Sequence, residues 1–191
     1  RYSDLQVALR GYCQEKNVNT LLHAISELQR IGYDISEKAI REGFAHVCQL
    51  TGLMGRWQKL NDLPRLICDT GHNIGGFQYI VPQLLAQPCK QLRIVFGMVN
   101  DKDIDDVLHL LPKDATYYFT QPATSRALSA VDLQARWQRL HPHTDSFAYM
   151  TSNEAIEAAY ARAQADDVVF IGGSNYLVGE VLRMPLPAFH N

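Results

Sequence analysis

The sequence predicts an α/β fold with a mostly parallel sheet and helices on both faces, preceded by two helices. Three observations predict it. From residue 65 onward, short apolar runs alternate with helix-length amphipathic segments, which is the pattern of βαβ units. The first fifty residues carry apolar positions at helical spacing only. A length of 191 residues with 47% hydrophobic content is enough for one good core and a modest extension.

From Asn17 to Ile31, Leu21, Leu22, Ala24, Ile25, Leu28 and Ile31 recur on one helical face, and Gly32 stops the pattern. A second helix is expected from about Ser36, a suitable N-cap, to Gln49, with Ala39, Ile40, Phe44 and Val47 on its apolar side. Two helices do not close a core alone, so they complete another domain or pack on the α/β segment after them. Strands are expected at 65–70, 92–99, 116–120, 146–150 and 168–171. Helices at about 75–86, 104–111, 129–140, 154–164 and 176–182 fill the gaps, with Pro82 expected to kink the first of these or mark its start. The corresponding domain reading is a helical segment over 1–51, a linker over 52–64 and a Rossmann-like domain over 65–191.

Eighteen Lys+Arg against 20 Asp+Glu give a net charge of -2, so no overall field favours nucleic acid, and a bound anion needs a local site. Cys13, Cys48, Cys68 and Cys89 fall singly, without the close pairs of a zinc or redox site, and no metal-ligand cluster is expected. No apolar run approaches the roughly 20 residues of a membrane span, and the start lacks a signal peptide's apolar stretch. A cytoplasmic setting with no membrane partner is the expectation. The chain opens on Arg1 rather than Met, as a piece of a longer protein or one that has lost a leader would.

Ligands of open α/β sheets bind beyond the carboxyl ends of the strands, so those ends carry the candidate chemistry. The first strand ends in Cys68-Asp69-Thr70-Gly71-His72-Asn73, a polar corner before a helix whose free N–H groups favour anions. Asp69 and Asn73 serve equally well as helix caps there, with His72 solvated. The second ends in Phe96-Gly97-Met98-Val99-Asn100-Asp101-Lys102-Asp103. Lys102 could hold a carboxylate or phosphate, or be an ordinary exposed lysine near a helix that Asp101 or Asp103 caps. The fifth ends in Gly172-Gly173-Ser174-Asn175, where glycines permit close backbone approach and Ser174 can meet an anion or cap the last helix. Arg56, in Gly55-Arg56-Trp57, is either a mobile cation over a phosphate or a linker residue stacked on Trp57. No G-x-x-x-x-G-K-[ST] and no G-x-G-x-x-G occurs, so these residues build neither a P-loop nor a dinucleotide fingerprint.

In order, these segments resemble the folylpolyglutamate synthase and dihydrofolate synthase family of the Mur ligase superfamily, and the resemblance covers essentially the whole chain. Gly11-Tyr12-Cys13-Gln14-Glu15-Lys16-Asn17 looks like its G-x-[YH]-Q-x-x-N segment, and Gly55-Arg56-Trp57 like its P-G-R linker. Asp69-Thr70-Gly71-His72-Asn73 resembles D-x-A-H-N-P, Phe96-Gly97-Met98 with Asp101-Lys102-Asp103 resembles F-G-x(3)-D-K-D, and Gly173-Ser174-Asn175-Tyr176-Leu177 resembles G-S-L-Y. Met54 stands where the family usually has Pro, Gly71 replaces Ala and Ile74 replaces Pro, changes of backbone stiffness rather than of a reacting group.

The resemblance implies the carboxy-terminal part of an ATP-dependent acid–amino-acid ligase that closes over the enzyme's own central ATPase domain, where the P-loop resides. ATP phosphorylates a folate or pteroate carboxylate, and L-glutamate then attacks the acyl phosphate, with Mg2+ bound mainly by the central domain. By the same resemblance Arg56 reaches the ATP phosphates, Asp69 the ribose hydroxyls and Asn17 the adenine. His72, Lys102 and Ser174 place the glutamate or the transferred phosphate, with His72 and Lys102 closest to the chemistry and Asn73 and Asp101 in support. Another Mur-type ligase acting on a cell-wall nucleotide precursor, or a non-catalytic α/β binding module, remains an open alternative.

Overall fold

The computed structural model describes residues 2–100 and 104–187. Three helices come first: α1 (Gln14–Arg30), α2 (Glu37–Ala45) and α3 (Val47–Thr51). Ser36 caps α2 by accepting the Ala39 N–H at 3.1 Å. The second helix expected from the sequence is broken in two, because His46 adopts a non-helical conformation between α2 and α3.

Next come β1 (Gln58–Asp62), β2 (Arg65–Asp69), α4 (Ile74–Leu85), β3 (Leu92–Phe96), α5 (Ile104–Leu110) and β4 (Ala115–Thr120). They are followed by α6 (Ala130–Leu140), β5 (Ser146–Tyr149), α7 (Ser152–Ala161), β6 (Val168–Gly172) and α8 (Asn175–Val181). The five expected strands are all present. The segment 52–64, expected as linker, holds one more: β1 pairs antiparallel with β2 at the edge of the sheet. Its polar sequence, with Leu60 as its one apolar residue, suits an edge strand and gives no apolar run to read. α4 starts at Ile74 and runs through Pro82, which therefore neither opens nor ends the helix and costs it one backbone bond.

The six strands lie in the order β1-β2-β6-β3-β4-β5, all parallel except β1. Strand residues alternate between two cores. On one face Ile67, Ile94, Phe96, Tyr117, Phe119 and Phe170 pack under Phe77, Leu108, Leu133 and Trp137 of α4, α5 and α6. On the other Leu66, Cys68, Val95, Tyr118, Val169 and Ile171 meet Ile156, Tyr160, Leu177 and Val178 of α7 and α8. The helices that follow β2 and β3 thus cover one face, while α8, which follows the intervening β6, covers the other. β6 is where the winding reverses, which is where the ligand-binding crevice of open α/β sheets lies, here at the carboxyl ends of β2, β6 and β3.

The amino-terminal segment is tied to this domain by a buried amide. Gln83 of α4, 5% exposed, accepts the Tyr12 N–H at 2.7 Å and donates to the Arg10 carbonyl at 2.9 Å. This pair of hydrogen bonds holds residues 10–12, just ahead of α1, against α4. No described helix is long and apolar enough to cross a membrane.

Candidate active site at the carboxyl edge of the sheet

Register brings the candidate residues abreast: Asp69 is paired with Gly172, and Gly172 with Phe96. Here the backbone is packed to contact, and glycine is a steric requirement. A Cβ on Gly97 would lie 2.7 Å from the Thr120 carbonyl oxygen, and one on Gly173, where φ is +107°, would lie 2.7 Å from the Gly97 carbonyl. The strand ends are thus drawn together, backbone against backbone. Thr70 and Thr120 each bury a hydroxyl oxygen that has no partner among the described residues.

Asp69 organises the corner. It is 6% exposed, its Oδ2 accepts the Trp57 N–H at 2.7 Å and its Oδ1 accepts the Gly71 N–H at 2.8 Å. Burial pushes its carboxyl above the usual aspartate range, against the opposing pull of those two N–H groups and the Arg56 charge. The carboxylate does not cap α4. It fastens the Gly55–Trp57 turn, in which Gly55 and Trp57 both have positive φ, to the end of β2. The Thr70 N–H donates to the Gly55 carbonyl at 2.8 Å and completes the attachment. Trp57 packs toward Phe170 with ring centroids 6.2 Å apart, while Arg56 is exposed and forms no ion pair among the described residues. The anchored turn therefore presents a cation to solvent.

Asn73 caps α4, its Oδ1 accepting the Gly76 N–H at 2.9 Å, and His72 beside it is exposed with Nδ1 3.1 Å from the Thr70 carbonyl oxygen. Ser174 caps α8 by accepting the Leu177 N–H at 3.1 Å and is 1% exposed. Asn17 lies on the first turns of α1, exposed, donating to Gln14 Oε1 at 3.2 Å. The start of α1 is close enough to the corner for Cys13 to sense it: the thiol is pushed up by burial and by Asp69, and drawn down by Arg56. Lys102 and Asp101 lie outside the described residues.

The structure thus brings Arg56, Asp69, His72, Asn73 and Ser174 to one edge, with α1 beside them. It adds an exposed cation that sequence reasoning passed over, Arg126, in the loop after β4. The Asn100 N–H donates to the Arg126 carbonyl at 2.8 Å, so this loop runs alongside the one after β3. No local motif signalled it. Among the described residues no group of three His, Cys, Asp or Glu side chains gathers as a metal site, and all four cysteines are free thiols.

The chain has recognisable relatives. It is 30% identical over 163 residues to the dihydrofolate synthase/folylpolyglutamate synthase of Escherichia coli strain K12, an alignment covering 84% of this chain and 36% of that protein. It is 27% identical over 187 residues to the folylpolyglutamate synthase of Lacticaseibacillus casei, covering 95% of this chain and 40% of that one. The chain therefore spans little more than a third of the length of these curated relatives, whose carboxy-terminal part it matches. A solved structure described as E. coli FolC in complex with DHPP and ADP superposes with a TM-score of 0.69 at 29% identity, covering 83% of this chain and 36% of that one. The Mycobacterium tuberculosis folylpolyglutamate synthase complexed with ADP has a TM-score of 0.79 at 22% identity over 98% of this chain and 43% of that one, which shows that the fold recurs with its leading helices. Residues 55–175 match the family described as Mur ligase, glutamate ligase domain, and the chain belongs to that family.

Proposed function

We propose that this chain is the glutamate-side, ATP-closing part of an ATP-dependent ligase that joins L-glutamate to a folate or dihydropteroate carboxylate through an acyl phosphate. The observation that carries the reading is the convergence of Arg56, Asp69, His72 and the Gly172–Gly173 turn on one crevice, in a chain of the glutamate ligase family. The relatives support it, one named for both dihydrofolate synthase and folylpolyglutamate synthase and the other for folylpolyglutamate synthase alone.

Each described residue has a task that its geometry suits. Arg56 is exposed on a turn pinned by Asp69, so its guanidinium can reach a phosphate held opposite while its backbone stays fixed. Asp69 spends one lone pair of each oxygen on a backbone N–H and keeps the others for ribose hydroxyls. Asn17, exposed on the first turns of α1, would contact the adenine. His72 and Lys102 supply the contacts to glutamate and to the phosphate being transferred, with Asn73 and Asp101 supporting them. Ser174 is the proposed contact to glutamate, and as cap of α8 it also holds the Gly173 turn against which glutamate would rest.

The crevice fits a nucleotide in having a cation and bare backbone, but it has no carboxylate cluster for Mg2+ among the described residues. The ion and the phosphate-cradling loop would come from the protein's own central ATPase domain, and the ion would offset charge on the transferred phosphoryl group. The partners are then that domain, L-glutamate and the folate or pteroate acceptor, in a cytoplasmic setting with neither nucleic acid nor membrane.

The test is to assay the full-length protein with ATP and glutamate, using dihydropteroate or tetrahydrofolate as acceptor. Glutamate-dependent ADP release with at least one acceptor is expected, and its absence with both rejects the reading. In that protein Lys102→Ala should raise the glutamate KM roughly tenfold or more and leave kcat largely recoverable at saturation. Residues 1–191 alone should release no phosphate, because they contain no P-loop sequence.

A further inference from the structure

The leading helices and the α/β domain share little packing. Neither apolar cluster on the sheet contains a residue ahead of Trp57, and α1, α2 and α3 pack extensively on no strand or helix that follows them. Among the described residues, the only hydrogen bonds that cross from 2–54 to the rest of the chain are those of the Gln83 side chain, and no ion pair crosses. Apart from the linker, one amide makes the polar connection between the two parts.

The chemistry of Gln83 suits that task. A side-chain amide offers an uncharged acceptor and donor, the pair that a backbone segment itself presents, so Gln83 meets the Tyr12 N–H and the Arg10 carbonyl as a neighbouring strand would. At 5% exposure, water competes weakly for either bond. The helix that carries it is locked to the Asp69 corner at its other end: Asn73 caps α4, and a Cβ on Gly71 would collide with Ile80 Cδ1. Residues 10–12 in turn run straight into α1. The Gln14 N–H donates to the Gly11 carbonyl at 2.9 Å, and the Gln14 side chain, 8% exposed, accepts from the Asn17 amide at 3.2 Å. α4 therefore spans from the corner to the segment on which α1 starts.

We propose that Gln83 is a positioning residue: by gripping residues 10–12 it fixes α1, and Asn17 on it, relative to the Asp69 corner, so that a nucleotide meets both at once. The consequence for ATP rests on the functional reading above, whereas the grip belongs to this chain alone.

Gln83→Met keeps the length and the apolar stem and removes both bonds. In the chain of residues 1–191, hydrogen exchange of the Tyr12 amide should quicken about tenfold or more, with β3 and β6 amides unchanged. Residual dipolar couplings read the orientation directly: those of α1 should share the alignment of the sheet in wild type and shrink about twofold or more in the variant. In the full-length ligase, Gln83→Met should raise the ATP KM about tenfold, with the glutamate KM and the saturated kcat within about threefold of wild type. A structural role alone would not single out ATP. Unchanged Tyr12 exchange, α1 couplings that do not differ between the two proteins, or a released α1 with an unchanged ATP KM each overturn the proposal, as does an equal rise in the glutamate KM. If the β3 and β6 amides also quicken, Gln83→Ala decides: it adds no group to the core, Ala is a strong helix former, and the same local pattern is expected of it. A full-length wild type without glutamate-dependent activity defeats the functional reading, and the exchange and the couplings still decide the grip.

Discussion

The two edges of the sheet are built on opposite principles. At the amino edge, charge is buried and paired: Arg93 of β3 reaches Asp167, just before β6, at 2.9 Å, with side chains 13% and 1% exposed. Arg93 also donates to the Tyr118 hydroxyl at 3.1 Å, and Asp167 accepts the Gln164 N–H at 3.0 Å. At the carboxyl edge the cations are exposed, the buried acid is occupied by backbone N–H groups, and glycines bring main chain against main chain. The charges of the amino edge are paired within the chain, although Trp137 Nε1, His141 Nε2 and the Tyr160 hydroxyl, at the ends of α6 and α7, are buried there without a partner among the described residues. The carboxyl edge keeps Arg56, His72 and Arg126 exposed and without a salt bridge among the described residues. The two edges thus differ in their charges, paired and buried at one and exposed at the other, where ligands of open α/β sheets bind.

The contrast breaks first at the amino edge. Arg93→Ala leaves Asp167 buried without its cation, which should cost about 3–5 kcal/mol of folding stability. A urea denaturation midpoint equal to that of wild type would show that the pair is not structural. Next in size, Gly173→Ala places a methyl on a positive-φ residue against the Gly97 carbonyl and the Phe96 ring, with an expected loss of about 1–3 kcal/mol. Thermal unfolding of that variant checks it, and an unshifted Tm would mean that the strand ends are not packed as described.

Asp69→Asn sharpens the comparison, because it tests a buried acid that is not in an ion pair. An amide offers one oxygen to two N–H donors, so about 1–3 kcal/mol should be lost as one donor is left facing the NH2 group. The variant also has a pH signature. Burial raises the Asp69 carboxyl above its ordinary 3.8, so in the window above that value the folded chain holds more protons than the unfolded chain. Stability therefore falls as pH rises through that window, where the ionised group pays for burial, and it recovers on acidification. The difference in stability between wild type and Asp69→Asn should shift in this sense across the window; a pH-independent difference would rule it out.

Much of this was legible in the sequence, for identifiable reasons. The parallel strands announce themselves because both of their faces are covered, which makes runs such as Val168–Gly172 almost wholly apolar. The candidate residues at the strand ends stood out because glycines and polar side chains cluster where such runs end, as in Asp69-Thr70-Gly71-His72 and Gly172-Gly173-Ser174. β1 was not, since an edge strand paired on one side needs no apolar face, and Gln58–Asp62 is read as a strand only through β2. Arg126 was hidden for another reason: its place depends on pairing between residues far apart in the chain, Asn100 with Arg126, which no local pattern encodes. The choice between cap and ligand was also closed to sequence: Asn73 and Ser174 do cap, whereas Asp69, equally suited to capping, holds the Arg56 turn instead.

Arg56 gives the smallest expected effect on the fold and the most direct test of the function. As an exposed side chain without an ion pair among the described residues, it should change stability by no more than about 0.5 kcal/mol when replaced by Ala. In the full-length enzyme, at saturating ATP, glutamate and folate acceptor, Arg56→Ala should lower kcat for glutamate-dependent ADP release by roughly a hundredfold, since the cation acts on charge that develops as the phosphoryl group moves. That loss with an unmoved denaturation midpoint is the result this structure predicts; an Arg56→Ala enzyme with wild-type kcat would contradict it.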